Sequence, residues 1–183
     1  MNIPNTLSLF RIALIPCFVI AFYAPVEWAR LLAAGIFALG AFTDWLDGYL
    51  ARRLGQISKL GTFLDPMADK LMVAVVLIVL LQSDPTLWLA LPVVVIVGRE
   101  ITVSALREWM AELGARKKVA VSYVGKVKTA AQMNAIVFLI LGETLTSLPV
   151  YEVGFALLYI ATGLTLSSMV QYLRAAWPEL TRD

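Results

Sequence analysis

Apolar residues fall into six long stretches along the chain, separated by short polar or turn-forming breaks. The stretches run over about Leu7–Tyr23, Trp28–Leu50, Gly61–Gln82, Thr86–Leu113, Val119–Leu141 and Val150–Leu173. A membrane-spanning helix needs roughly 20 mostly apolar residues. Backbone polar groups in lipid must be satisfied within the segment, so runs of this length predict helices rather than strands. The breaks carry turn chemistry: Ala24-Pro25, Ser83-Asp84-Pro85, Gly114, Gly142 and Pro149. The pattern predicts an all-α integral membrane protein with six transmembrane helices, residues 1–183 forming one membrane domain.

Loop charges orient the spans. One set of breaks carries Arg52, Arg53, Lys59, Arg116, Lys117 and Lys118. The opposite set carries Glu27, Asp84, Glu143 and Glu152 with Arg30. Basic loops stay on the cytoplasmic side, so both termini are expected there. The first run lacks the basic start and small-residue cleavage site of a leader and is read as a retained span.

Composition narrows the chemistry. Hydrophobic residues make up 60% of the chain, and the mean hydropathy of +0.81 is that of a multi-span membrane protein. The sequence has no histidine and one cysteine, Cys17. That excludes Ser-His-Asp triads, His-based zinc sites and an internal disulfide. Catalysis must run on carboxylates, lysines, arginines or a bound metal. No nucleic-acid partner is expected.

Against this background the stretch DWLDGYLARRLGQISKLGTFLDPMADK, residues 44–70, is unusual. It gathers Asp44, Asp47, Asp65 and Asp69 around a basic turn. Ionisable residues in spans are costly and usually mark a function. Asp44 and Asp47 are three apart and Asp65 and Asp69 four apart, so each pair lies on one helix face. The first pair is expected in the last turns of the second helix and the second pair in the first turns of the third. All four then gather at the cytoplasmic face. Four anions in a partly dehydrated place need neutralising. Two hard divalent cations such as Mg²⁺ would do this and could clamp a phosphoryl displacement. Gly48 and Gly61 would allow close approach of a ligand, and Arg52 could hold a phosphate. Residue chemistry alone also leaves open an ion-paired hairpin and a cation pathway. Against the first, apolar residues would build a hairpin at lower cost. Against the second, transport sites tend to lie at the midplane.

The spacing Asp44-x-x-Asp47-Gly48-x-x-Ala51-Arg52, eight residues, then Gly61-x-x-x-Asp65-x-x-x-Asp69 resembles without a gap the motif of the CDP-alcohol phosphatidyltransferase family. At roughly one in fifteen per position, a chance match at a given start is about one in 10⁹. The resemblance implies a six-helix, typically dimeric membrane enzyme that transfers a substituted phosphate from a CDP-linked donor to an alcohol and releases CMP. It implies that Asp44, Asp47, Asp65 and Asp69 hold two divalent ions, Mg²⁺ or Mn²⁺, with Asp69 as general base. It further implies that Gly48, Ala51, Arg52 and Gly61 shape the donor site. The start of the chain, IPNTLSLFRIALIP, matches a family pattern that adds Asn5, Ser8 and Arg11 to that site.

The acceptor must be read elsewhere. The fourth span contains Arg99, Glu100 and Arg107 in VGREITVSALREWMAELG, and the fifth begins YVGKVKTAAQ with Lys126 and Lys128. Such cations suit a phosphorylated acceptor, while snorkelling to headgroups remains open for them. These stretches resemble the bacterial phosphatidylglycerophosphate synthases of the family. That resemblance implies CDP-diacylglycerol as donor, sn-glycerol 3-phosphate as acceptor and a place in the bacterial inner membrane among its lipids. Inositol phosphate, serine or phosphatidylglycerol as acceptor, and a divalent-cation transporter, stand as the other readings.

Overall fold

The computed structural model describes residues 3–54, 59–114, 123–142 and 149–180, with side chains at 6–46, 61, 64, 66–114, 127–142 and 149–178. Six helices account for nearly all of them: α1 (Ile3–Phe22), α2 (Ala29–Leu54), α3 (Lys59–Ser83), α4 (Leu87–Glu112), α5 (Tyr123–Leu141) and α6 (Val150–Leu180). No strand occurs among the described residues.

The breaks fall where turn chemistry placed them. Thr86 caps α4, its hydroxyl accepting from the Leu89 amide at 3.3 Å, which satisfies one of the free amides at a helix start. Gly114 ends α4 with a positive φ of 70°, a conformation that costs glycine little. Two helices outlast their apolar runs. α2 continues to Leu54 and α6 to Leu180, because Ala51, Arg52, Arg53, Arg174, Ala175 and Ala176 are good helix formers whatever their polarity. Hydropathy marks where lipid ends, not where the helix does. Asp44 and Asp47 therefore lie two to three turns inside α2 rather than at its end. The stretch 119–122, expected to open the fifth span, lies outside the described residues.

The chain divides into two compact units, residues 1–84 with 136–154 and residues 85–135 with 155–183. In the first unit α1 packs against α2 and α3. The buried face of α1 runs Ser8, Arg11, Leu14, Phe18, Ala21 and Phe22, a three-to-four-residue stripe. Among the other buried residues of this unit are Ala33, Ala34 and Phe37 of α2 and Met72, Val76 and Leu77 of α3. Small residues let helices approach closely in lipid. At Gly40 an added Cβ would lie 3.7 Å from Met72 Cε and 4.0 Å from Arg11 Cγ, so all three helices close around that point. The end of α3 away from the aspartates is also tied: Tyr23, just after α1, donates to Gln82, and Tyr151 of α6 donates to Asp84, just after α3. In the second unit, Val103, Met110, Tyr172 and Ala176 form a core flanked by Leu106, Trp109 and Met169.

Polarity is inverted relative to a water-soluble fold. Arg11, Arg99 and Lys128 are buried, while Ile20, Val94, Ile101 and Ile160 are exposed. Lipid is the medium that makes this arrangement favourable. Among the described residues four helical segments are long and apolar enough to cross a membrane: Ala29–Leu46, Pro66–Ser83, Leu87–Glu112 and Val150–Pro178. Thr6–Phe22 and Val127–Leu141 are shorter apolar helices. Trp28, Trp88 and Trp177 stand exposed near the ends of their helices, and Trp45 stands exposed at the end of the apolar part of α2, positions at which tryptophan favours the lipid–water boundary.

Gly142 gives a test of packing in the first unit. A Cβ there would lie 2.6 Å from Tyr151 Cβ and 3.0 Å from its Cα, so α5 and α6 would have to separate. Gly142→Ala should lower stability by about 1–3 kcal/mol, whereas Gly35→Ala, which meets nothing within 4 Å, should be close to neutral. Heat-unfolding midpoints of the two variants in detergent check this.

Candidate active site

The first and last carboxylates of the acidic motif, Asp44 and Asp69, are brought together by helix packing. Arg11 extends the buried stripe of α1 toward its N-terminal end, one turn from Ser8, and its side chain is only 1% exposed. A buried cation needs anionic partners. It finds them on both neighbouring helices: Nη1 lies 3.5 Å from Asp44 Oδ1 of α2 and donates a close, charge-assisted hydrogen bond to Asp69 Oδ1 of α3. Thr43, next to Asp44, is buried and donates to the Gly40 carbonyl at 2.8 Å. It thereby satisfies its own hydroxyl inside α2.

The first and last aspartates of the motif, 25 residues apart in sequence, thus meet at one guanidinium nitrogen. The arginine pairing them comes from α1, not from the turn between α2 and α3. Gly61 is buried in α3, one turn before Asp65. Asp47, Gly48, Ala51 and Arg52 lie on α2, Asp65 on α3 and Asn5 on α1, but their side chains fall outside the described residues.

A divalent metal fits the donor set that can be seen. Asp44 and Asp69 present hard carboxylate oxygens from two helices toward one cationic position, the ligand type that Mg²⁺ and Mn²⁺ take. Among the described residues no group of three or more potential metal ligands converges. The other two aspartates of the motif are not among them.

The second unit holds a separate polar cluster. Arg99, on the buried face of α4, donates from Nη1 to Glu100 Oε1 at 2.7 Å and from Nη2 to Ser168 Oγ of α6 at 3.3 Å. Lys128 of α5 donates to the same Glu100 Oε1 at 3.1 Å. Arg107, two turns after Arg99, donates from Nη2 to the Tyr172 hydroxyl at 3.1 Å. The Tyr172 ring also lies beneath both guanidinium groups, its centroid 5.8 Å from Arg99 Cζ and 5.1 Å from Arg107 Cζ. Such stacking holds arginine in place while leaving its edge free to donate. The Nε atoms of Arg99 and Arg107 are buried without a hydrogen-bond partner, an expensive state for a charged donor.

Three of the four cations expected to hold the acceptor therefore share one cluster: Arg99, Arg107 and Lys128. Arg99 and Lys128 do not snorkel to the surface; both are buried and ion-paired. The side chain of Lys126 lies outside the described residues. Sequence reading missed Ser168 and Tyr172. Their signal was present, for Thr165, Ser168 and Tyr172 recur at helical spacing on one buried face of α6. A polar stripe through an apolar helix asks for partners.

Comparison with known proteins bears on both clusters. The family model for CDP-alcohol phosphatidyltransferase matches residues 1–167. A CDP-diacylglycerol–glycerol-3-phosphate 3-phosphatidyltransferase of Pseudomonas fluorescens is 55% identical over 184 residues, covering 100% of this chain and 94% of the relative. Proteins of the same name from Pectobacterium atrosepticum and Yersinia pestis (strain Pestoides F) are 54% and 52% identical, each covering 98% of this chain and 97% of the relative. With its motif, its helices and its relatives in agreement over nearly the whole length, the chain belongs to the CDP-alcohol phosphatidyltransferase family.

Proposed function

We propose that the protein transfers the phosphatidyl group of CDP-diacylglycerol to sn-glycerol 3-phosphate, giving phosphatidylglycerol phosphate and CMP. The observation that carries the reaction is the meeting of Asp44 and Asp69, the two ends of the family motif, at a single cationic position. The acceptor reading rests on the buried cluster of Arg99, Arg107 and Lys128 and on relatives whose name states glycerol 3-phosphate.

The six helices are read as six spans with both termini in the cytoplasm, in the bacterial inner membrane, and the protein as a homodimer. Loop charge supports this orientation. The donor's acyl chains then lie in the inner leaflet, with its pyrophosphate at the depth of the aspartates.

Each group has a part. Asp44, Asp47, Asp65 and Asp69 would hold two divalent ions, Mg²⁺ or Mn²⁺, whose charge offsets that of the donor pyrophosphate. Asn5, Ser8, Gly48, Ala51, Arg52 and Gly61 shape the cytidine diphosphate site. Arg11 orients Asp44 and Asp69 as well as belonging to that site. Arg99, Arg107, Lys126 and Lys128 bind the acceptor phosphate as charge-assisted donors. The primary hydroxyl of glycerol 3-phosphate attacks the phosphorus that bears diacylglycerol. A new P–O bond forms, the P–O bond to CMP breaks, and the Asp69 carboxylate takes the hydroxyl proton.

The deciding assay is CMP release by purified protein from CDP-diacylglycerol with Mg²⁺ or Mn²⁺ across a panel of acceptors. Release should depend on both metal and glycerol 3-phosphate. Release with another acceptor would keep the motif reading and discard that of the cations, and metal flux without CMP would replace the reaction with transport. In the same assay Asp69→Asn should lower kcat by at least about a hundredfold, the scale of a general base, in protein that still inserts and runs as a folded species. Near-normal turnover would remove Asp69 from that role. Arg107→Ala should raise KM for glycerol 3-phosphate about tenfold, as expected for about 1.4 kcal/mol of lost binding. KM for CDP-diacylglycerol should change far less; equal changes would place Arg107 elsewhere.

A further inference from the structure

Among the described residues, both ion pairs of the second unit end on one atom, Oε1 of Glu100, which accepts from Arg99 Nη1 and Lys128 Nζ. Two donors on one carboxylate oxygen leave that oxygen doing what a phosphate oxygen would do at the same place. The partners differ in freedom. Arg99 and Lys128 are 9% and 4% exposed, Glu100 25%. Arg99 is also held from behind by Ser168 and by the Tyr172 ring. Arg99 is anchored independently of Glu100 and Lys128 is buried, so the carboxylate, the most exposed of the three, is the member able to withdraw.

Charge counting points the same way. Arg99, Arg107 and Lys128 contribute three positive charges and Glu100 one negative. The cluster is left with a surplus near that of a phosphate monoester, which carries about −1.5 to −2 at neutral pH. Arg107 Nη2 engages only a phenol hydroxyl at 3.1 Å, and the buried Nε atoms of both arginines lack partners. An arriving phosphate finds donors to satisfy, but it must also displace or repel Glu100.

We propose that Glu100 is a positioning residue that stands in for the acceptor phosphate in the empty site and competes with it in the occupied one. This rests on the reading of Arg99, Arg107 and Lys128 as the acceptor site. Without ligand, Glu100 keeps two buried cations convergent that would otherwise repel each other. With ligand, it weakens binding. That matters because the acceptor's phosphate is not consumed: the product carries the same monoester and must leave. Glu100 lets Arg99 and Lys128 release it by taking back their hydrogen bonds.

The test is inorganic phosphate binding to the full-length protein in detergent, by equilibrium dialysis with radiolabelled phosphate, alongside steady-state kinetics. Glu100→Gln, which keeps shape and removes charge, should bind phosphate at least about tenfold more tightly than wild type, as relief of about 1.4 kcal/mol of repulsion gives. It should lower KM for glycerol 3-phosphate and also lower kcat, as product leaves more slowly. Glu100→Asp keeps the charge but is too short to bridge both nitrogens, so its phosphate affinity should fall between the two. A merely structural carboxylate would give equal or weaker phosphate binding in both variants, and that result overturns the proposal. If Glu100→Gln is not recovered folded, the Asp variant decides alone, tighter binding supporting the proposal and equal or weaker binding ending it. Wild-type protein that binds phosphate but shows no CMP release with glycerol 3-phosphate would sink the proposed acceptor while leaving the comparison of variants to judge Glu100.

Discussion

A guanidinium group taken out of water must be met by anions, and in the first unit that requirement ties three helices together. Arg11 sits at the polar end of the stripe by which α1 packs. Its partners are carboxylates on α2 and α3. Truncating one member of such a set leaves a buried charge uncompensated, which costs more than the pair ever contributed. The apolar part of the stripe supplies the packing, and Arg11 supplies the register. Sliding α1 by one turn would carry the cation away from both aspartates at once. The same contact orders the first and last carboxylates of the motif before any metal or substrate arrives.

The second unit solves a related problem with the signs reversed. There the surplus is cationic, and a single carboxylate with an aromatic ring holds it. Tyr172 is suited to this place because its ring faces the guanidinium groups while its hydroxyl accepts from Arg107. Phenylalanine would keep the first contact and lose the second. The arrangement leaves donors available within a helical region that is otherwise apolar, as recognition of a phosphate requires.

Much of this was legible in the residues. Hydropathy located the helices because lipid leaves the backbone no other option. The motif's spacing set each pair of aspartates on one helix face, and its resemblance to a known family's motif implied the chemistry. What could not be read were pairings between helices distant in sequence. Arg11 lies 58 residues from Asp69, and Arg99 lies 69 from Ser168. Nothing local in IPNTLSLFRIALIP says which carboxylate its arginine will meet. Glu100 was visible as a charge in a span, but its role depends on which cations α5 brings beside it. α2 and α6 outlast their apolar runs for a different reason. Polarity reports the medium around a helix, whereas backbone hydrogen bonding and propensity decide how far it continues.

The exposed tryptophans have a consequence for the depth of the chemistry. Trp28 and Trp45 bracket the apolar part of α2, and 17 residues of helix separate them by about 25 Å. That is close to the hydrocarbon thickness of a bilayer. Trp45 directly follows Asp44, so the side chain that anchors the helix at the boundary also fixes the height of the first carboxylate. The helix is a ruler with a carboxylate engraved beside one of its marks. A bilayer thicker or thinner than the ruler must tilt the helix or deform around it, and either response moves the carboxylate relative to the lipid headgroups. Acyl length in the surrounding membrane thereby becomes a variable in where Asp44 stands, acting through α2 without touching the carboxylate.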